Sequence, residues 1–101
     1  MLEFNESTEK AKVLAMHYAM QVGDPLLVSF MSSKTEIQSS DQAKNIIEGF
    51  RQMTDLAVED HHNNMTIEGI DDIEFWMYKL FNKVYGYMVK NGFAEVWNQY
   101  H

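Results

Sequence analysis

From Ile70 to Met88 the chain leaves almost no polar side to a helix. Ile70, Ile73, Met77, Leu80, Val84 and Tyr87 form a heptad-like seam, while Phe75, Trp76, Tyr78, Phe81, Tyr85 and Met88 take up much of the remaining circumference. A helix apolar nearly all round lies at the centre of a small protein or gives part of its surface to an interface. Fully burying each large apolar side chain is worth about 1.5–3 kcal/mol. A chain of 101 residues nevertheless has interior for only one modest core. Two expectations follow. Either this segment is a core helix wrapped by the first and third helices and the tail, or Phe75, Trp76 and Tyr78 stay exposed for a protein partner or a second copy of the chain, as aromatic anchors do at interfaces.

The wrapping elements are also legible as helices. Ala11, Leu14, Ala15, Tyr18 and Val22 share one face of a helix spanning about 7–22, with Asn5, Ser7 or Thr8 as its N-cap and Gly23 as its stop. Asp24-Pro25 is a cap followed by proline at the first helical position, which predicts a short second helix to Met31. The alternation of Leu26, Val28 and Phe30 allows a different reading, a small β-hairpin within 26–38 in which they pair with 35–38. Ser39 and Gln42 match a capping box. Behind them Ala43, Ile46, Ile47, Phe50, Met53 and Ala57 recur at helical spacing, giving a third helix to about His61. After the break at 63–66 the fourth helix starts at about Ile67 or Asp71 and ends before Asn91-Gly92. Phe93, Val96, Trp97 and Tyr100 then mark an amphipathic tail. The expectation is a single all-α domain over 1–101, a bundle of four to five helices.

Composition narrows the class. Hydrophobic residues at 46% and charged residues at 23% suit a folded globular chain. The absence of cysteine removes disulfides, thiolate metal centres and thiol nucleophiles, and fits a reducing compartment. The opening residues lack the basic start and apolar run of a secretion signal, and no segment has the apolar length of a membrane span. These features read as a cytoplasmic protein without membrane contact.

Charge is distributed unevenly. Between Gln52 and Tyr78 lie Asp55, Glu59, Asp60, Glu68, Asp71, Asp72 and Glu74 with no Lys or Arg, so this stretch holds the whole formal net charge of -7. Asp55, Glu59, Asp71 and Asp72, together with Phe75, Trp76 and Tyr78, are the candidate interaction residues. The acidic side chains would steer a basic partner and the aromatic ones would hold it. Glu59 and His62 have the Glu-x-x-His spacing that lets two side chains reach one ion. That makes a metal-binding helical protein the alternative, although no second such pair exists and no metal or cofactor is expected. Asp60, His62, Asn64, Thr66, Glu68 and Asp71 also fall at the ligand positions of a helix–loop–helix calcium loop. The resemblance to an EF-hand is degenerate: Met65 replaces the turn glycine and Asp71 the longer closing Glu.

Catalytic signatures are missing: no glycine-rich phosphate loop, no Gly-x-Ser-x-Gly elbow and no His-Glu-x-x-His motif. The eight basic residues are scattered and form no stripe to follow a phosphate backbone, so direct nucleic-acid binding is not expected. The sequence-based expectation is a non-enzymatic interaction module or inhibitor, acting on a basic protein surface such as one that binds nucleic acid. A structural homodimer is the other non-catalytic reading.

Overall fold

The computed structural model describes residues 1–100. A 3-10 turn at Glu6–Thr8 leads into α1 (Glu9–Val22), followed by α2 (Pro25–Met31), α3 (Ser40–His62), α4 (Ile73–Lys90) and α5 (Ala94–Tyr100). The fold is an all-α bundle. No strand occurs among the described residues, only an isolated bridge between Ile67 and Ile70.

Local chemistry sets each boundary. The Thr8 hydroxyl accepts the Asn5 N–H at 2.9 Å, closing the turn before α1. Gly23 ends α1 at φ 83, a left-handed conformation open to glycine, with its N–H on the Ala19 carbonyl at 3.0 Å. The Asp24 carboxylate accepts the Leu26 N–H at 3.0 Å and Pro25 occupies the first turn, so α2 is helical. This corrects the hairpin reading of 26–38. Leu27, Phe30 and Met31 go inward at helical spacing, and the Ile37 N–H that a strand partner would have used is donated to the Tyr87 hydroxyl at 2.8 Å. Ser39 accepts the Gln42 N–H at 3.2 Å, but Gln42 reaches back to the Gln38 N–H at 2.8 Å and leaves the capping box incomplete.

The α4 helix begins later than the pattern suggested. Residues 67–70 close a turn, with the Ile70 N–H on the Ile67 carbonyl at 2.9 Å and Gly69 at φ 83. Asp72 then caps α4 by accepting the Phe75 N–H at 3.1 Å.

Packing assigns the central role to α3. It packs broadly against α1, α2, α4 and α5, whereas α4 packs broadly against α1, α3 and α5, meets α2 through Phe30 and Tyr87, and keeps an outer face. The expected neighbours of α4, namely α1, α3 and the tail, are found around it, but they leave Phe75, Tyr78, Phe81 and Tyr85 exposed and α4 only partly covered. Ala43, Ile46, Ile47, Phe50, Met53 and Ala57 of α3 are all buried, as are Ile73, Met77, Leu80, Val84 and Tyr87 of the α4 seam. Met88, placed off that seam by its spacing, is completely buried as well. Gly49 allows the close approach of α2 to α3. A Cβ there would sit 2.8 Å from a terminal methyl of Leu27.

One buried polar contact ties α1 to α3. Tyr18 is inaccessible to solvent and its hydroxyl donates to Asp60 Oδ2 at 2.9 Å. Burial, and then the Asp60 carboxylate, hold this hydroxyl well above the ordinary tyrosine range. The folded state therefore resists ionisation more than the unfolded chain does. The contribution is complete below about pH 10 and is lost as pH rises beyond it. Tyr18→Phe should cost about 1–2 kcal/mol in urea unfolding at neutral pH, the typical loss of a hydrogen bond to a charged group after partial rehydration of the partner. The difference from wild type should narrow at about pH 10.5. A gap unchanged at high pH would mean the hydroxyl does not titrate differently on unfolding.

Candidate functional site

The outer face of α4 carries a line of large apolar side chains. Phe75 is 45% exposed, Tyr78 63%, Phe81 37%, Tyr85 42% and Val89 47%. Their positions advance by three or four residues, so they stack along one side of the helix, flanking the buried seam. In the second half of the line the rings also touch one another. Phe81 stacks on Tyr85 at 6.5 Å between centroids, and both meet the buried Trp97 of α5, at 5.2 and 5.6 Å. Phe75 meets Trp76 edge-on at 5.0 Å and has the Lys79 ammonium 5.4 Å from its centroid.

Trp76 differs from its neighbours. It is half-buried, its indole N–H donates to Asp71 Oδ1 at 3.1 Å, and Lys10 of α1 lies 5.8 Å from its ring centroid while also pairing with Asp71 at 3.5 Å. The indole N–H, the backbone at Asp71 and Lys10 together hold the Asp71 carboxyl below the usual carboxylate range. Three side chains thus clasp the start of α4 to α1. Of the three aromatic candidates, Phe75 and Tyr78 face outward and Trp76 serves mainly as part of this clasp.

The acidic stretch divides by what its carboxylates hold. Asp60 accepts from Tyr18, Asp71 from Trp76 and Lys10, and Asp72 from the N-terminal backbone of α4, while Glu74 pairs with His61 Nε2 at 3.2 Å. Four acids are therefore engaged in holding the fold. Asp55 and Glu59 lie exposed on α3 with no side-chain hydrogen bond or ion pair among the described residues, and Glu68 stands in the same condition on the loop. Asp55 and Glu59 are thus the two candidate acids whose charge is not already matched within the chain.

Between α3 and α4 runs an open apolar groove. Near its acidic end about 380 Å³ is bordered by Thr54, Ala57 and Val58 of α3 and by Ile73 and Met77 of α4, with His61, His62 and Glu74 at the mouth. A second stretch of about 310 Å³ adjoins it, sharing Thr54 and Met77 and reaching Tyr78, Phe50 and Phe81. Trp97 stands at that far end, its ring 6.3 Å from Phe50 and 5.2 Å from Phe81. Val58 is the residue the sequence reading passed over. It is 49% exposed on the largely charged outer side of α3, and an apolar residue set between Asp55 and Glu59 was the available signal.

Among the described residues the histidines do not assemble a metal centre. The His61 and His62 rings lie 6.3 Å apart, and it is His61 rather than His62 that meets a carboxylate. Among the described residues no group of three or more His, Asp or Glu side chains is placed to hold an ion. No helix among them is long and apolar enough to cross a membrane. Comparison with known protein families, curated proteins and solved structures gives no match to this chain.

Proposed function

We propose that this chain acts by protein–protein contact, as an interaction module or inhibitor in the cytoplasm, and not as an enzyme or a direct nucleic-acid binder. The observation that carries the reading is the exposed line of Phe75, Tyr78, Phe81 and Tyr85 on α4, together with the exposed Asp55 and Glu59 of α3, whose charge is not matched within the chain. Aromatic side chains of this kind supply most of the energy of a protein interface, because they bury large areas at little entropic cost. Asp55 and Glu59 add long-range attraction for a basic surface, which raises the association rate more than the affinity.

Immobilised wild-type protein and a Phe75→Ser/Tyr78→Ser variant, exposed to a lysate of the source cells, test the reading. The wild type should retain a defined partner that the variant loses, and retention should weaken as salt is raised. Equal capture by both would remove the aromatic face from the account. Salt-insensitive capture would remove the acidic one.

A further inference from the structure

The groove between α3 and α4 is already a helix seat, and the chain fills only part of it. α5 packs against both α3 and α4, with Trp97 beside Phe50 on one wall and Phe81 on the other. Beyond that ring the same two walls continue as an apolar channel, past Thr54 and Met77 to Val58, with no side chain of the bundle filling it. The unfilled section therefore has the shape that an amphipathic helix uses when it lays an apolar stripe between two others.

Charge identifies which amphipathic helix. Glu74 stands at the mouth on the α4 wall, and Asp55 precedes Val58 by three residues, so the two are neighbours on the surface of the α3 wall. Glu74 is met by His61, so the unmatched carboxylate nearest the channel is Asp55, and no Lys or Arg occurs between Gln52 and Tyr78 to oppose it. Arg51 lies one turn back on α3, toward the Phe50 end, which gives the channel a direction. We infer that the occupant is a basic amphipathic helix of a partner protein, its apolar residues set against Val58, Met77 and Tyr78 and its Lys or Arg residues grouped at the end nearest Asp55 and Glu74. This inference rests on the interaction reading above and adds the site and the chemistry of the partner. An acidic helix would meet like charge at Asp55 on the α3 wall.

The test uses the full chain, isotopically labelled, titrated with a synthetic Leu/Lys amphipathic peptide of about four helical turns. A Leu/Glu peptide of the same pattern serves as comparison, and amide shifts are followed by NMR. Saturable shifts should centre on Thr54, Val58, Met77 and Tyr78 with the Leu/Lys peptide and be absent with the Leu/Glu one. Val58→Arg, on an exposed position where folding is not at risk, should weaken binding about tenfold or more by placing like charge and bulk in the channel. Asp55→Asn should weaken it about threefold, whereas Asp41→Asn, the same change in net charge near the start of α3, should leave it unchanged.

Equal effects of Asp55→Asn and Asp41→Asn would reduce the binding to general attraction and overturn the assignment. So would binding of both peptides, shifts centred elsewhere, or no binding. Concentration-dependent shifts at the same residues without peptide would assign the channel to a second copy and overturn it as well. Capture of a cellular partner that depends on Phe75 and Tyr78 but not on Val58 would leave the interaction reading standing and the groove assignment refuted.

Discussion

Phe50→Ala is expected to lower stability by about 3–5 kcal/mol, the range for truncating a fully enclosed aromatic side chain. Phe50 is only 1% exposed and lies in α3, the helix packed most extensively against the others. Its ring is 6.3 Å from both Phe81 and Trp97, so the cavity would open where α3, α4 and α5 converge. Domains of this size have only about 5–15 kcal/mol of total stability. At about 4–8 °C per kcal/mol, the midpoint of thermal unfolding should fall by more than about 12 °C. Glu48→Ala, on the exposed side of the same helix, should change stability by less than about 0.5 kcal/mol. A small effect of Phe50→Ala would mean that α3 does not hold the core together.

The second large effect separates residues that hold the bundle from residues that face outward. Tyr78→Ala should weaken association by about 2 kcal/mol if the ring is an interfacial anchor, a factor of roughly 30, with little change in thermal midpoint. Phe75→Ala should act in the same direction. Trp76→Ala should behave oppositely. It removes the indole that Asp71 accepts from and that Lys10 covers, so it should cost about 1–2 kcal/mol of folding stability and alter association less. Thermal melts and binding titrations on the three variants distinguish these outcomes. A Trp76 variant of unchanged stability that no longer associates would place the indole in the interface instead of the clasp.

The apolar periodicity of α3 and α4 was sufficient to predict both helices, because the seam residues of each are buried in the bundle. The caps at Asp24 and Ser39 and the stop at Gly23 were legible for the same reason, since each is settled by atoms within four residues. What the pattern left open depends on tertiary contact. Leu26, Val28 and Phe30 alternate as in a strand, and only the cap at Asp24 and the use of the Ile37 N–H by Tyr87 decide for helix. Spacing on α4 identified too many apolar positions for one buried face but could not say which remained outside. Met88 went in, Tyr78 stayed out, and Trp76 was turned against α1 by Lys10, distant in sequence, and by Asp71 five residues before it.

The acidic stretch illustrates the same limit. Its net charge was evident, but four of its carboxylates serve as a cap, a clasp, a tyrosine acceptor and a histidine partner. A charge count cannot distinguish them from Asp55 and Glu59, because the distinction is made by residues on other elements. The groove was still less accessible to sequence reading. Its walls come from two helices, and Val58 is informative only once Met77 is opposite it.

The central claim, that the aromatic face of α4 belongs in an interface, is tested most directly by the native mass of the protein at cellular concentration, alone and in lysate. The account predicts a discrete species heavier than the 11.8 kDa chain, dissolved by Phe75→Ser/Tyr78→Ser without loss of helical signal. A mass of one chain under every condition, unchanged by that substitution, would contradict it.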